Sequence, residues 1–395
     1  MIPFVDNLMP FRYQHLEYTL KGLDSTGVAL VEHNGVSFMP AGVSDDTGIY
    51  FFIPQIAKFF NLGLDLSISL FFSFLLIVSL AAAVLSVFGL IKKRSHRLFS
   101  LAFLGVLSIY LILRGDIYTL SALSALVVIP LTYYLRTKNL KIRYLILQYF
   151  LFGLLIALSN FVRSNSGTAV MIFLISFLVI EYFYSKKKFL LFFCILCIGF
   201  LSGNAGISSI KHSRDTFLLK QGISSKEMVE GHVFWHSVYI GFGYLNNNYG
   251  IKYDDDFAYA RARMLNPSIL IHSNEYEELM RDEVFKLIKN DPWFVVKTIT
   301  SKMGLVLFYL ILFSNIGLYY IIKSIKNSRI SVPLLLALFF NMSFPLVVMP
   351  FPGYMIGVVG IIILFSILSL ETNSNPEIEQ NNFRYFFRKT YKGEN

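Results

Sequence analysis

Residues 67–91 read SISLFFSFLLIVSLAAAVLSVFGLI, and Lys92, Lys93 and Arg94 follow at once. As a helix at 1.5 Å per residue such a run measures roughly 37 Å, more than the hydrocarbon core of about 30 Å. In lipid the backbone must satisfy its own hydrogen bonds within the segment, so the run is read as a membrane-spanning helix. The basic triplet at its end marks the cytoplasmic face.

Working outward, the same pattern recurs. Further spans are read at 98–113, 117–135, 144–161, 168–184, 189–203, 302–322, 331–349 and 353–370, giving about nine in all. Basic clusters follow the odd ones: Arg136, Lys138, Lys141 and Arg143 after the third, Lys186 to Lys188 after the fifth, and Lys323, Lys326 and Arg329 after the seventh. The tail carries Arg384, Arg388, Lys389 and Lys392. The intervening turns are poor in lysine and arginine, and that alternation predicts their side as the non-cytoplasmic one. The expected fold is an all-α polytopic membrane protein, since no short alternating segments suggest a barrel.

The expected organisation is an outer N-terminal segment over 1–66, a six-span bundle over 67–203, a large outer loop over 204–301, a three-span bundle over 302–370 and a cytoplasmic tail over 371–395. Within the outer loop, Asn274 to Ile288 shows helical spacing of Tyr276, Leu279, Val284, Leu287 and Ile288. Asp291-Pro292-Trp293 predicts a turn and an interfacial aromatic. The outer N-terminal segment has no apolar run before it and no signal-peptide pattern, so either the first span exports it or, the reading preferred, a further membrane helix lies upstream of Met1.

The chain is 55% hydrophobic, a surplus that a soluble core does not need, and its net charge of +10 lies in short turns rather than in a nucleic-acid-binding patch. Nucleic acid is therefore not expected as a partner. Cys194 and Cys197 have redox-motif spacing but sit inside an apolar run, and are read as small buried apolar residues.

Three polar constellations could carry chemistry. In the first, Asp45 and Asp46 end a Gly- and Pro-punctuated loop, and the amphipathic stretch Ile49–Phe60 follows, expected to lie flat in the interface. A carboxylate there can act as general base on an acceptor hydroxyl; the alternative is an Asx-turn or helix N-cap. The second joins Arg114 and Asp116 with Arg163 and its Ser164-Asn165-Ser166-Gly167 sequel. A guanidinium can fork onto phosphate oxygens, or merely snorkel at a helix end. The third holds His232, Trp235, His236, Tyr239 and Asn247. Such aromatics, amides and imidazoles suit a sugar or headgroup platform, or else the core of an outer domain. The His-x-x-x-His spacing leaves a divalent metal open without requiring one; no metal ligand is assigned and no cofactor is expected. Phosphate-loop, G-x-S-x-G and H-E-x-x-H motifs are absent from the sequence.

On Asp45-Asp46, the stretch Ile49–Phe60 and the multi-span body with a later outer domain, the chain resembles the GT-C superfamily of polyprenyl-phosphate-sugar-dependent glycosyltransferases. Protein mannosyltransferases and the lipid A aminoarabinose transferase belong to it. The resemblance implies a hexosyl- or pentosyltransferase of the bacterial inner membrane, with its large loops periplasmic. Asp46 or Asp45 would be the base, and Arg163 and Arg114 the ligands of the donor phosphate. Asp116, His232, Trp235, His236, Tyr239 and Asn247 are the expected substrate-binding residues. The expected partners are a lipid-linked sugar donor, a glycan, lipid or protein acceptor, and membrane lipids. An envelope polysaccharide polymerase or ligase, a lipid-linked-sugar flippase or transporter, and a non-catalytic envelope assembly subunit stand as alternatives.

Overall fold

The computed structural model describes residues 3–42, 46–138, 140–184, 189–224, 228, 234–271, 273–325 and 328–372. The chain opens with α1 (Pro10–Thr26), a hairpin of β1 (Val31–His33) and β2 (Phe38–Pro40), and α2 (Thr47–Phe60). The hairpin is antiparallel, with Glu32 opposite Met39. A bundle follows, formed by α3 (Leu64–Leu90), α4 (Arg94–Arg114), α5 (Thr119–Arg136), α6 (Ile142–Val162), α7 (Thr168–Tyr184) and α8 (Phe189–Lys220). Then come α9 (Phe234–Gly241), α10 (Asp255–Leu265) and α11 (Asn274–Asn290), and finally α12 (Pro292–Ser314), α13 (Gly317–Ser324), α14 (Ser328–Val347) and α15 (Pro352–Thr372).

Among the described residues, eight helices are long and apolar enough to cross a membrane. The shorter α7 is also apolar, and at roughly 26 Å it nearly matches a hydrocarbon core. The protein is thus an all-α polytopic membrane protein. Its centre is α15, whose apolar span is 94% buried, against 22% for α4 and α12, which therefore face lipid. A helix apolar on every side is stable only when surrounded, and α4, α5, α12, α13 and α14 surround this one. Phe74, Ile77 and Leu85 of α3, with Ile109 of α4 and Phe308 and Ile311 of α12, form the exposed apolar belt. In water such a belt would aggregate; in a bilayer it is the lipid contact.

Helices α6 and α8 approach most closely. A Cβ on Gly153 would lie 2.3 Å from the Leu196 carbonyl, and one on Gly199 would lie 2.2 Å from that of Phe150. Small residues let the two backbones meet, the usual means of gaining dispersion contact where lipid supplies no hydrophobic drive.

Two span boundaries depart from the expectation. The sixth, expected to end at 203, continues in α8 to Lys220, because Ile207, Arg214 and Leu218 prolong a buried stripe beyond the apolar run. The seventh, expected over 302–322, is two helices. It begins at Pro292, where the Asp291 side chain accepts from the Phe294 N–H at 2.9 Å, and it breaks at Asn315, whose φ of 44° is not helical. Lys302 of α12 is buried and donates to the Val348 carbonyl at 2.7 Å and that of Val347 at 3.2 Å, capping the last turn of α14. The stretch Ile49–Phe60 is indeed helical, but Ile49, Ile53 and Ala57 bury against protein, leaving only Phe59 and Phe60 fully exposed as apolar anchors.

Elements α9 to α11 have a core of their own, built on Tyr239, Phe242, Tyr276, Met280 and Val284. This small domain, the N-terminal elements and the long extension of α8 share one end of the bundle, here called the domain end. Arg214 of α8 joins them there by donating from Nη1 to the Ala41 carbonyl at 3.0 Å.

Candidate functional site

Helix α1 buries Arg12, Leu16, Thr19 and Leu23, spaced four, three and four residues apart and so on one face. That stripe carries the Arg12 guanidinium inward, where Nε donates to Asp46 Oδ2 at 2.5 Å, and the Asp46 side chain is only 1% exposed. Asp46 stands at the N-cap of α2 with its carboxylate turned to Arg12 instead of the first helical N–H groups. Burial alone would lower the Arg12 guanidinium, but the Asp46 carboxylate more than offsets this and leaves it raised. A Cβ on Gly48 would lie 2.6 Å from the Val162 Cα, so the start of α2 meets the end of α6 beside Arg163.

Arg163 caps α6 and is buried. Its Nη2 donates to the Tyr118 hydroxyl at 2.9 Å, and its guanidinium carbon stands 4.5 Å from that ring's centroid. The loop after it is compact: the Ser166 N–H bonds the Arg163 carbonyl, Asn165 takes a left-handed φ of 66°, and the Asn160 side chain accepts from the Gly167 N–H at 2.7 Å. Burial lowers the Arg163 pKa to about 9, so it remains a cation at neutral pH, but one whose charge is costly where it stands. Asp116 is also buried, and its Oδ1 accepts from the Tyr118 N–H at 2.8 Å. Burial raises its carboxyl to about 6, with that N–H and Arg12 pulling the other way.

Tyrosines tie these charges together. The Tyr118 and Tyr354 rings meet edge to face with centroids 4.8 Å apart, and Tyr253, from the loop between α9 and α10, neighbours Tyr354. Between Arg163, Ser164, Asn165, Ser166, Asn341 and Tyr354 lies a cleft of about 40 Å³, room for a few water-sized groups. Asn341 aims a buried amide nitrogen there that has no hydrogen-bond partner among the described residues. The ensemble offers a carboxylate pinned by one arginine, a second buried cation, and amide and hydroxyl donors around a crevice. Chemically, that is a proton acceptor beside an anion-seeking group.

The structure thus brings Asp46, Asp116 and Arg163 together. Arg114 does not join them: it is exposed, and among the described residues no ion pair links it to Asp116. The backbone around Arg114 is instead held by Asn7, whose amide donates to the carbonyls of Leu113 and Gly115. Asp45 and His232 lie outside the described residues. The third constellation is largely framework of the small domain. His236 bonds the Tyr276 hydroxyl through Nδ1 and Asp255 through Nε2 at 2.9 Å, and Trp235 leans on Phe285. Asn247 donates to the Leu245 and Ile251 carbonyls and accepts from the Tyr249 and Ile251 N–H groups. These three were expected to hold substrate; the side-chain polar groups of His236 and Asn247 shape a core and a loop, and Trp235 packs on an aromatic neighbour, while Tyr239 borders a cavity. Among the described residues no cluster of three or more His, Cys, Asp or Glu could hold a metal ion.

Arg12, Tyr253, Tyr354 and Asn341 were not singled out from sequence. Arg12 had one usable signal, its place on a four-three-four stripe with Leu16, Thr19 and Leu23; the others had none. No protein family, curated protein or solved structure matches this chain.

Proposed function

We propose that the protein is a membrane glycosyltransferase that moves a sugar from a polyprenyl-phosphate carrier to a cell-envelope hydroxyl, with its domain end facing away from the cytoplasm. The observation that carries this reading is the meeting of the Arg12–Asp46 pair with Arg163, Asp116 and Tyr118 at the membrane-proximal edge of that end. A lipid carrier presents its phosphate at this depth. Arg163 and the Ser164–Ser166 loop would take the phosphate oxygens, and Asp46, oriented by Arg12, would accept the proton of the attacking hydroxyl. The new bond forms between that oxygen and the anomeric carbon while the carbon's bond to the phosphate oxygen breaks. Polyprenyl phosphate then leaves with the electron pair, its charge balanced by Arg163. A single displacement of this kind inverts the anomeric centre. The basic turns at the opposite end support the orientation through the charge bias of cytoplasmic loops.

A second reading has one observation in its favour. Because Asp46 is almost wholly buried and already paired, an envelope polymerase or ligase that uses Arg163 and leaves Asp46 as a strut also fits.

Transfer from labelled polyprenyl-phosphate sugars to an envelope extract separates the two. The transferase reading expects Asp46→Asn to lose at least about 100-fold, the usual contribution of a general base. Arg163→Ala should also be inactive. Full transfer by a folded Asp46→Asn variant would defeat the base assignment and favour the second reading.

A further inference from the structure

The small domain holds a half-open cavity of about 410 Å³ between α9, α10 and α11. That volume lies within the range of small-molecule sites. Its walls alternate in character. Tyr239 and Phe257 present nearly parallel rings, 6.3 Å apart and 15° from coplanar, and Tyr249 stands at the rim. Beside them is a fixed polar fan. Arg261 donates to Glu283 Oε2 from Nε at 3.0 Å and from Nη2 at 2.7 Å, and Lys286 donates to Oε1 at 2.8 Å. Arg261 also neighbours the Tyr239 hydroxyl. Two cations share one carboxylate, and both remain part-exposed, so N–H donors are left over on that wall.

This combination discriminates between ligand classes. An apolar tail would leave the Arg261–Glu283–Lys286 fan unanswered, and a bare anion would ignore the rings. A saccharide uses both, since its C–H faces stack on aromatics and its hydroxyls bond fixed polar groups.

The cavity is also wired to the charged cluster. Tyr249 and Ile251 line it, and two residues on, Tyr253 neighbours Tyr354, which shares the cleft with Arg163. The connecting loop is held in shape by the four backbone bonds of Asn247. Gly243 holds it too, because a Cβ there would lie 2.4 Å from the Lys252 carbonyl carbon. One rigid loop therefore has the cavity on one side and the cluster on the other.

We propose that the cavity between α9, α10 and α11 is a saccharide-binding subsite that grips a sugar of the acceptor one loop away from the centre of transfer. Assigning that sugar to the acceptor rests on the transferase reading; saccharide binding by itself does not.

The test uses the full chain in lipid nanodiscs, with no donor present. The probe is a set of mono- to tetrasaccharides released by mild acid from the host's own envelope, and binding is read by saturation-transfer NMR. The wild type should bind at least one size fraction, and Tyr249→Ala and Lys286→Ala, one aromatic and one cationic lining residue, should each weaken binding roughly tenfold. Asp46→Asn, remote from the cavity, should bind as the wild type does while losing transfer. Absence of binding to every fraction, or equal binding by the wild type and both wall variants, would overturn the subsite. Binding that depends on Tyr249 and Lys286 in a protein that transfers nothing would uphold the subsite and remove the transferase reading instead.

Discussion

Arg12 occupies a place on α1 that its neighbours Leu16 and Leu23 mark as interior, and Asp46 answers it. A buried pair of this kind adds little net stability, because desolvating two ions costs about what their attraction returns; removing one partner is another matter. Arg12→Met should destabilise the fold by about 3–5 kcal/mol by stranding the carboxylate, and Arg12→Met with Asp46→Leu should recover much of that loss. Thermal unfolding in one detergent, compared across both variants, checks it; equal stability of the wild type and Arg12→Met would contradict the pairing. Asp116 gives a second prediction at this scale. Its carboxyl is lifted from the usual carboxylate range to about 6 by burial, so it is neutral below that pH and charged above it. Because the folded value exceeds the unfolded one, the proton favours the fold at low pH, and that contribution fades as pH rises through about 6. The charge that appears above 6 opposes an anionic ligand at Arg163. Binding of a polyprenyl phosphodiester, which does not itself titrate there, should weaken as pH rises through that point. Asp116→Asn should flatten the profile, and an unchanged step in that variant would assign it elsewhere.

Among the elements, those buried in lipid were the most legible. Helices α3 and α15 announce themselves through long uncharged runs, and the basic turns give the alternation of the rest. The amphipathic α11 was legible from its spacing, apart from Ile288, which is exposed. Helix α1 was not, because its buried stripe contains an arginine and a threonine where periodicity looks for apolar side chains. The C-terminal end of α8 and the start of α12 were hidden for a different reason. Hydropathy reports where lipid stops, whereas a helix continues for as long as protein covers its face, as Arg214 and Leu218 do on α8. The glycine contact of α6 and α8 makes the prediction at this scale. Gly199→Leu would drive a side chain into the Phe150 backbone, and should destabilise the bundle by about 1–3 kcal/mol or more as the two helices part. Gly206→Leu, one to two turns further on the same helix where nothing stands within 4 Å, should be tolerated. Equal loss of stability in the two variants would show that close approach does not set the cost, since leucine favours a helix more than glycine does at both positions.

Over the whole molecule, α4, α5, α12, α13 and α14 surround the buried α15, and a second, smaller core of α9 to α11 sits at one end. Asp46 and Arg163 could be picked out because each lies in a short polar run beside an apolar one. Their partners come from distant segments: Arg12 from α1, Tyr118 from the turn before α5, Tyr253 from the small domain and Tyr354 from α15. Only the fold brings these together, so no local pattern could have shown them. The proposed chemistry requires this end of the molecule to face away from the cytoplasm. Single cysteines placed in a chain whose native Cys194 and Cys197 are replaced by Ser test that requirement. Val36→Cys at the tip of the hairpin and Lys138→Cys at the opposite, basic end would be exposed to a membrane-impermeant maleimide on cells with a permeable outer envelope and an intact cytoplasmic membrane. The account predicts that the cysteine at 36 is labelled at once and the one at 138 only after the cytoplasmic membrane is breached. The reverse order would contradict it.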